Sequence, residues 1–414
     1  MADYRIGFWN LENLFAPEGF PGREPWIADA VAADLAGWSQ ALFDRKISQL
    51  TTVIAAMAGG GGPDVLGLCE VENRFVLDQL KASVNQLLPG RHYDVVHADS
   101  NADRRGIDTA FIYDANQFTV DPDAIFSHFV IRRTGTRDIT QVTFTSQAGN
   151  DLVALANHWP SRSGGSAAES AGFRATAGET LGYWHERIRQ ERGNDIAIVA
   201  MGDLNDNPWD PSVWFNANPS RERGDTARAR SARFHNLAWN YLTTVVTDRH
   251  GHARVIDGTL YWRNNGGVFD QSLVNRSLLN GEAGYTALDD TAGIDTIPAM
   301  VDHHPSQGPI RSDWRTQSGT RCSALQRRRP GEARDETDRG HRPARHGARG
   351  RRDLGQGRGR VRRDDQDHQA ALSPRRDRET QAHPLRRPRS RRHHHRMTAG
   401  RRTRADTDWM AWRR

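Results

Sequence analysis

Cysteine is scarce in this chain. Cys69 and Cys322 are the only two in 414 residues, and neither belongs to a Cys/His spacing of the kind that holds zinc, which argues against a thiolate metal site. The lack of a disulfide framework says little in a domain this large. No apolar run is long enough to span a membrane, and the first strand signal begins almost at Met1, with Asp3 and Arg5 already interrupting it. A signal sequence has no room there. The expectation is a monomer without a membrane span, cytoplasmic, or secreted if a leader precedes this start. Lysine is nearly missing as well: Lys46 and Lys81 are the only two, as expected of a GC-rich gene.

Charge is divided unevenly. From Arg311 onward the chain carries 31 arginines against 13 acidic residues, a charge of +18, whereas the whole chain stands at +6 and the first 310 residues therefore at −12. The basic balance belongs to the ending alone. An acidic body does not exclude a polyanionic substrate if an ion supplies local positive charge, but it removes any claim to a basic binding face.

The two parts also differ in rhythm. Phe43, Ile47, Leu50, Ile54 and Met57 recur at helical spacing before Gly59-Gly60-Gly61-Gly62-Pro63, and Phe173, Ala177, Leu181, Trp184 and Ile188 do so before Gly193-Asn194. Strand runs follow both breaks, the alternation expected of a layered α/β domain over residues 1–310. After Ile310 no periodicity survives, so residues 311–414 cannot bury enough apolar surface to offset chain entropy and read as a disordered tail. Such arginine-rich text is either an out-of-frame ending, the reading we favour, or an arm for nucleic acid.

Within the body, polar residues gather where strand signals end. Ile196–Ala200 runs into Met201-Gly202-Asp203-Leu204-Asn205, Tyr4–Phe8 into Trp9-Asn10-Leu11-Glu12-Asn13, and Val65–Cys69 into Glu70-Val71-Glu72. Leu152–Ala156 ends in Asn157-His158-Trp159, and Asp270 interrupts Val268–Val274. Strand ends are where α/β sheets assemble sites. Each residue also has a plainer reading: Asp203 and Asn205 as an Asx turn, Glu70 as a solvated helix start, His158 as an ordinary strand-end histidine. Asp270 on an apolar strand is costly unless paired. Arg105, ahead of the strand Thr109–Tyr113, binds phosphate or caps a turn, and Arg162 follows His158 in a polar loop suited to phosphate. A hard, oxygen-ligated cation held by one or two carboxylates suits this set, and phosphodiester hydrolysis needs such positive charge beside the non-bridging oxygens.

These residues, in this order, resemble the endonuclease/exonuclease/phosphatase superfamily of deoxyribonuclease-I-like metal-dependent phosphoesterases, in its bacterial nuclease-type branch. The resemblance runs from Tyr4 to about Pro309. It implies an α/β (α+β) fold, a four-layered sandwich of two packed mixed β-sheets flanked by helices. By the same resemblance Asn10 and Glu70 hold a divalent metal, Mg2+ by default with Mn2+ or Ca2+ as alternatives. His158 contacts the scissile phosphate, Asp203 and Asn205 align water and phosphoryl oxygens, Asp270 orients a later histidine, and Arg105, Asn157 and Arg162 serve the substrate. The family pattern closes on Ser-Asp-His, whereas this chain has Ser312-Asp313-Trp314. An indole is a donor only and cannot be a base. Asp302-His303-His304 is the nearest substitute, and the final strand is expected to be missing.

The leading expectation is therefore a nuclease on DNA or RNA, impaired by loss of that histidine. The alternatives are a phosphatase or phosphodiesterase on small or lipid phosphoesters such as inositol phosphate or sphingomyelin, and a catalytically silent fold with a nucleic-acid-binding arginine arm. Trp209, Trp214 and Trp262 can stack bases, pack in the core, or meet a lipid surface.

Overall fold

The computed structural model describes residues 3–297 apart from 101–102, 104, 132, 134, 163–166, 248–250, 257 and 263–264. All of these belong to one unit, Met1–Ala333. His303, His304, Ser312-Asp313-Trp314, the boundary at 310, the missing final strand and the tail lie outside the described residues.

Two sheets form the body. The first runs in the order β1-β2-β4-β3, from β1 (Ile6–Leu14), β2 (Val65–Val71), β3 (Tyr93–His97) and β4 (Asp108–Asp114). In the second the order is β5-β6-β7-β8-β14-β9, from β5 (Phe118–His128), β6 (Ile139–Ser146), β7 (Asp151–His158), β8 (Ala197–Asp203), β9 (Phe234–Asn236) and β14 (Asp270–Asn275). Both are mixed: β1 with β2 and β7 with β8 are parallel, and the other neighbours are antiparallel. Two short hairpins, β10 (Thr244–Thr247) with β11 (Ala253–Ile256) and β12 (Leu260–Trp262) with β13 (Asn265–Gly267), lie between β9 and β14 in the chain.

Three apolar layers hold the sheets and helices together. Val65, Phe111 and Tyr113 of the first sheet meet Phe118, Phe144, Ala156 and Met201 of the second. On the outer face of the first sheet, Leu66, Leu68, Ala110 and Ile112 pack beneath α1 (Pro25–Leu35), α2 (Gln40–Gly60) and α3 (Arg74–Leu87). The outer face of the second is covered by α4 (Ala167–Arg192) through Ala177, Leu181 and Ile188. The expected four-layered sandwich is what burial of both faces of both sheets requires. Because β2 is buried on both faces, it reads as a continuous apolar run rather than an alternation.

The expected helices are present. Phe43, Ile47, Leu50, Ile54 and Met57 form the buried side of α2, and helical geometry ends at Met57, where ψ is 159° and Ala58 follows with φ of 52°. In α3, Leu77, Leu80 and Val84 are buried, but Leu87 at the last turn is 51% exposed. Two strand expectations need adjustment. Asp270 begins β14 instead of interrupting it, and Asn205 lies beyond the end of β8 with φ of 51°. Asn205 thus stands in a turn after the strand that carries Asp203.

Candidate active site

Four strands bring polar residues to one edge of the two sheets. Parallel pairing places Asn10 beside Cys69 and His158 beside Asp203, so the point in β1 where its register with β2 shifts and the C-terminal ends of β2, β7 and β8 deliver their polar residues side by side. Antiparallel neighbours bring their beginnings to that edge: Asp270 opens β14 opposite Asp203, and Asp108 opens β4 opposite Val71.

The backbone is strained beside these residues. Glu12, Asn13, Glu70 and Asn205 all have positive φ, between 51° and 62°, a region that costs a side-chain-bearing residue about 1–3 kcal/mol and persists only where the surroundings enforce it. At Glu70 the conformation coincides with a break in register between Cys69 and Val71. The chain turns there, and the Glu70 carboxylate comes out at 14% exposure while Asn10, His158 and Asp203 stay buried. Gly202 is demanded by close approach: a Cβ at that position would lie 2.3 Å from the Asn157 carbonyl oxygen. Only glycine lets β8 pass so near β7 just before Asp203.

Asn10 is the hub. Its Nδ2 donates to Asp203 Oδ2 at 2.9 Å and to Glu70 Oε1 at 3.2 Å, while its Oδ1 accepts the Glu12 amide at 2.8 Å. One carboxamide thus holds two like charges at fixed separation. Asp203 uses its other oxygen to accept the Asn205 amide at 3.0 Å, and Asn205 Nδ2 donates to the Trp159 carbonyl at 3.0 Å. The Asx turn is real, and it is what aims Asp203 at Asn10.

His158 stands on the other side of Glu70, its Nε2 3.6 Å from Glu70 Oε1. Arg137 lies against its ring, with Nη2 2.7 Å from Nε2 and Nε 3.2 Å from Nδ1. A neutral imidazole accepts at only one nitrogen, so one of these approaches is a contact rather than a hydrogen bond. Arg137 is itself only 9% exposed, and Asp103 Oδ1 sits 3.9 Å from its Nη1. Arg137 is the residue that sequence reasoning missed. It precedes β6 in a run of mixed polar residues with no motif, and inspection of strand C-termini passes over it. Because β6 is antiparallel to β7, the start of β6 falls at the same edge as His158.

The remaining candidates sit around this group with their side chains engaged. Asn157 is fully buried, donates to the Leu155 and Met201 carbonyls at 3.0 and 3.2 Å and accepts from Trp159 Nε1 at 3.1 Å, joining β7 to β8. Arg162 donates to the Asn205 carbonyl at 2.8 Å, pairs with Asp206 at 2.8 Å and with Asp210, and lies 4.7 Å from the Phe269 ring centroid. Exposed Arg105 donates to Asn13 Oδ1 at 2.6 Å. Trp209 and Trp214 are exposed, and Trp209 packs against Trp239 with ring centroids 5.8 Å apart. Trp262 is on β12, its side chain outside the described residues.

The donor set suits a hard cation. Glu70 offers a partly exposed carboxylate edge, Asp203 stands behind it, and among the described residues His158 is the imidazole close by; oxygen-rich sets of one or two carboxylates are how magnesium is held. Asn10 currently turns its NH2 to both carboxylates, so ligation through Oδ1 requires the amide to turn over and release Glu12.

The sequence matches the endonuclease/exonuclease/phosphatase family over residues 5–322, and the chain belongs to that family, whose members hydrolyse phosphoester bonds with the help of a divalent metal. The match continues past the compositional break at 310. No curated protein sequence matches the chain. Among solved structures, it is similar to an endonuclease/exonuclease/phosphatase family protein of Bacteroides thetaiotaomicron, at 12% identity over 66% of this chain and 83% of that one, with a TM-score of 0.38. A mannosyl-6-phosphatase from the same organism aligns at 13% identity over 66% and 86%, with a TM-score of 0.40. The human Nocturnin catalytic domain with bound sulfate anion aligns at 15% identity over 66% and 82%, with a TM-score of 0.38.

Proposed function

We propose that this chain hydrolyses phosphodiester bonds in nucleic acid, with Glu70 as the principal ligand of a magnesium ion. The observation that carries the proposal is the contact chain Arg137–His158–Glu70–Asn10–Asp203, which places a buried cation, an imidazole and two carboxylates along one strand edge. Magnesium, when bound, supplies positive charge beside a non-bridging oxygen.

The protein's own groups account for the rest. Arg137 faces the same phosphate through His158, and a buried guanidinium aimed at developing negative charge is worth more there than in water. Asp203, held by Asn10 and the Asn205 amide, is the carboxylate placed to orient the attacking water and take its proton. Ser312-Asp313-Trp314 aligns in sequence with the Ser-Asp-His that the family resemblance implies, so Asp203 does this without that histidine and turnover is correspondingly slow. Asp270, opposite Asp203 on β14, adds negative charge behind it.

Nucleic acid is favoured over a small phosphoester by Trp209, which follows Asn205 by a short turn and packs against Trp239, with Arg221 over the Trp239 face at 4.7 Å. Aromatic faces beside a phosphate site accept bases by stacking. The test is turnover of plasmid DNA, RNA, a chromogenic phosphodiester, sphingomyelin and a sugar phosphate by the full chain, with and without magnesium. Magnesium-dependent cleavage of DNA or RNA supports the proposal; hydrolysis of the monoester alone would move the chain to the phosphatase reading.

A further inference from the structure

A second cluster of metal-ligating side chains lies off the phosphate site. His97 ends β3, Asp108 begins β4, and Asp99 stands in the connection between them; one ligand atom from each lies within 4.8 Å of the others. Register places His97 opposite Ala110, and Asp108 lies two residues before Ala110 on the same strand. Alternation along β4 therefore puts both on the face of Ala110 and Ile112, which packs against the helices, while Phe111 and Tyr113 face the second sheet. The cluster is on the helix side of the first sheet, not between the sheets.

The pair is buried but loosely closed. The side chains of His97 and Asp108 are 4% and 5% exposed, yet Nε2 and Oδ2 stand 3.5 Å apart, and Nε2 has no hydrogen-bond partner. Buried polar nitrogens are nearly always hydrogen-bonded, and an N–H···O bond across this gap would sit near 2.9 Å. Asp108 Oδ1 is satisfied by the Ser100 amide at 3.0 Å, which leaves Oδ2 facing the imidazole. Two ligands bound at about 2.0–2.1 Å to one tetrahedral ion stand about 3.4 Å apart, as simple trigonometry on zinc–ligand bond lengths gives. The observed separation of 3.5 Å is close to that of two ligands sharing one ion. Asp99, whose side chain is 77% exposed and 3.6 Å from the other ring nitrogen, is free to swing in as a third.

We propose that His97, Asp108 and Asp99 form a second metal site, for a borderline divalent cation of which zinc is the type: one imidazole and two carboxylates suit such an ion better than they suit magnesium or calcium. The site ties the β3–β4 connection to the sheet. Ser100, within that connection, also donates to the Thr136 carbonyl at 3.4 Å, next to Arg137, so the ion steadies the segment behind the buried arginine. The inference is independent of the phosphoesterase reading.

The test is calorimetric titration of the full chain with zinc, and of the variants His97→Ala, Asp108→Asn, Asp99→Asn, Glu70→Gln and Glu70→Gln/His97→Ala. His393, His394 and His395 contribute the same background to all of them. The wild type is expected to bind one more zinc per chain than His97→Ala or Asp108→Asn, Glu70→Gln is expected to bind one more than the double variant Glu70→Gln/His97→Ala, and the extra equivalent should raise Tm. Asp99 is exposed, so Asp99→Asn should fold normally and bind the extra ion at least tenfold more weakly. Equal stoichiometry in the wild type and a folded His97→Ala, or unchanged affinity in Asp99→Asn, would overturn the site and leave His97–Asp108 as an ion pair. Equal stoichiometry in Glu70→Gln and Glu70→Gln/His97→Ala would overturn it too, by assigning every bound ion to the phosphate site or the background.

Discussion

Lys46 donates through Nζ to the carbonyl of Glu12 at 2.6 Å and to that of Asn13 at 3.3 Å. One of two lysines in the chain is thus buried at 2% exposure beneath the two strained residues that follow Asn10. The arrangement is mechanical. Glu12 and Asn13 turn left-handed, their carbonyls point into the protein, and an ammonium group on α2 satisfies both. The Glu12 amide then holds Asn10 Oδ1. Lys46 acts on the site through the backbone.

Replacing Lys46 with methionine keeps the stem but leaves two carbonyls without their charged donor. Charge-assisted hydrogen bonds of this kind contribute about 1.5–3 kcal/mol, so Lys46→Met should lower stability in denaturant by that order. Because Asn10 loses its frame, the apparent affinity for magnesium in the activity assay should fall as well. Wild-type stability together with a wild-type magnesium response would show that the loop holds itself.

Glu70→Gln keeps shape and removes the charge that holds a hard cation. Activity should collapse while circular dichroism and Tm stay near those of the wild type, since Glu70 is the most exposed member of the group. An unchanged dependence on magnesium would remove Glu70 from the metal site.

Arg137→Met and His158→Ala address the phosphate end. Groups that contact phosphate or move protons contribute roughly a hundredfold to ten-thousandfold to rate, and kcat should fall in that range for both variants. Arg137→Lys should recover little, because a point charge cannot lie along the imidazole edge at two positions. If Arg137→Met lowered only stability and left kcat intact, the arginine would be structural.

Stability should fall in acid through His185. This side chain stacks on Phe234 at 3.8 Å between ring centroids, and burial, with Arg189 adding to it, brings its pKa down to about 3. A histidine whose folded pKa lies below its unfolded value binds fewer protons folded than unfolded. Its contribution is therefore whole above about pH 6.5 and is lost as pH falls toward 3, at about 1.4 kcal/mol per unit. His185→Phe keeps the stack and removes the titration, so its stability should decline less than that of the wild type between pH 6 and pH 4. Parallel stability curves would show that other groups govern acid unfolding.

Much of the fold was legible because its signals are local. The apolar rows of α2 and α4, the glycine stop after Met57 and the strand runs that follow state secondary structure directly, and the order of polar strand endings pointed to a layered sheet with a site at one edge. The sequence by itself determined that Asn10, Glu70, His158 and Asp203 lie where apolar runs stop, because a polar side chain interrupts an apolar row only where a partner or water satisfies it; β1 itself continues past Asn10 to Leu14. Only the tertiary structure decided how they meet. Parallel pairing of β1 with β2 and of β7 with β8 sets them side by side, and left-handed turns at Glu70 and Asn205, unreadable in residue type, aim them. Arg137, Asp108 and Asp270 reach the same edge from strand beginnings, since antiparallel neighbours reverse direction. No local pattern encodes that reversal; it follows from which strand pairs with which, and burial across the whole chain settles the pairing.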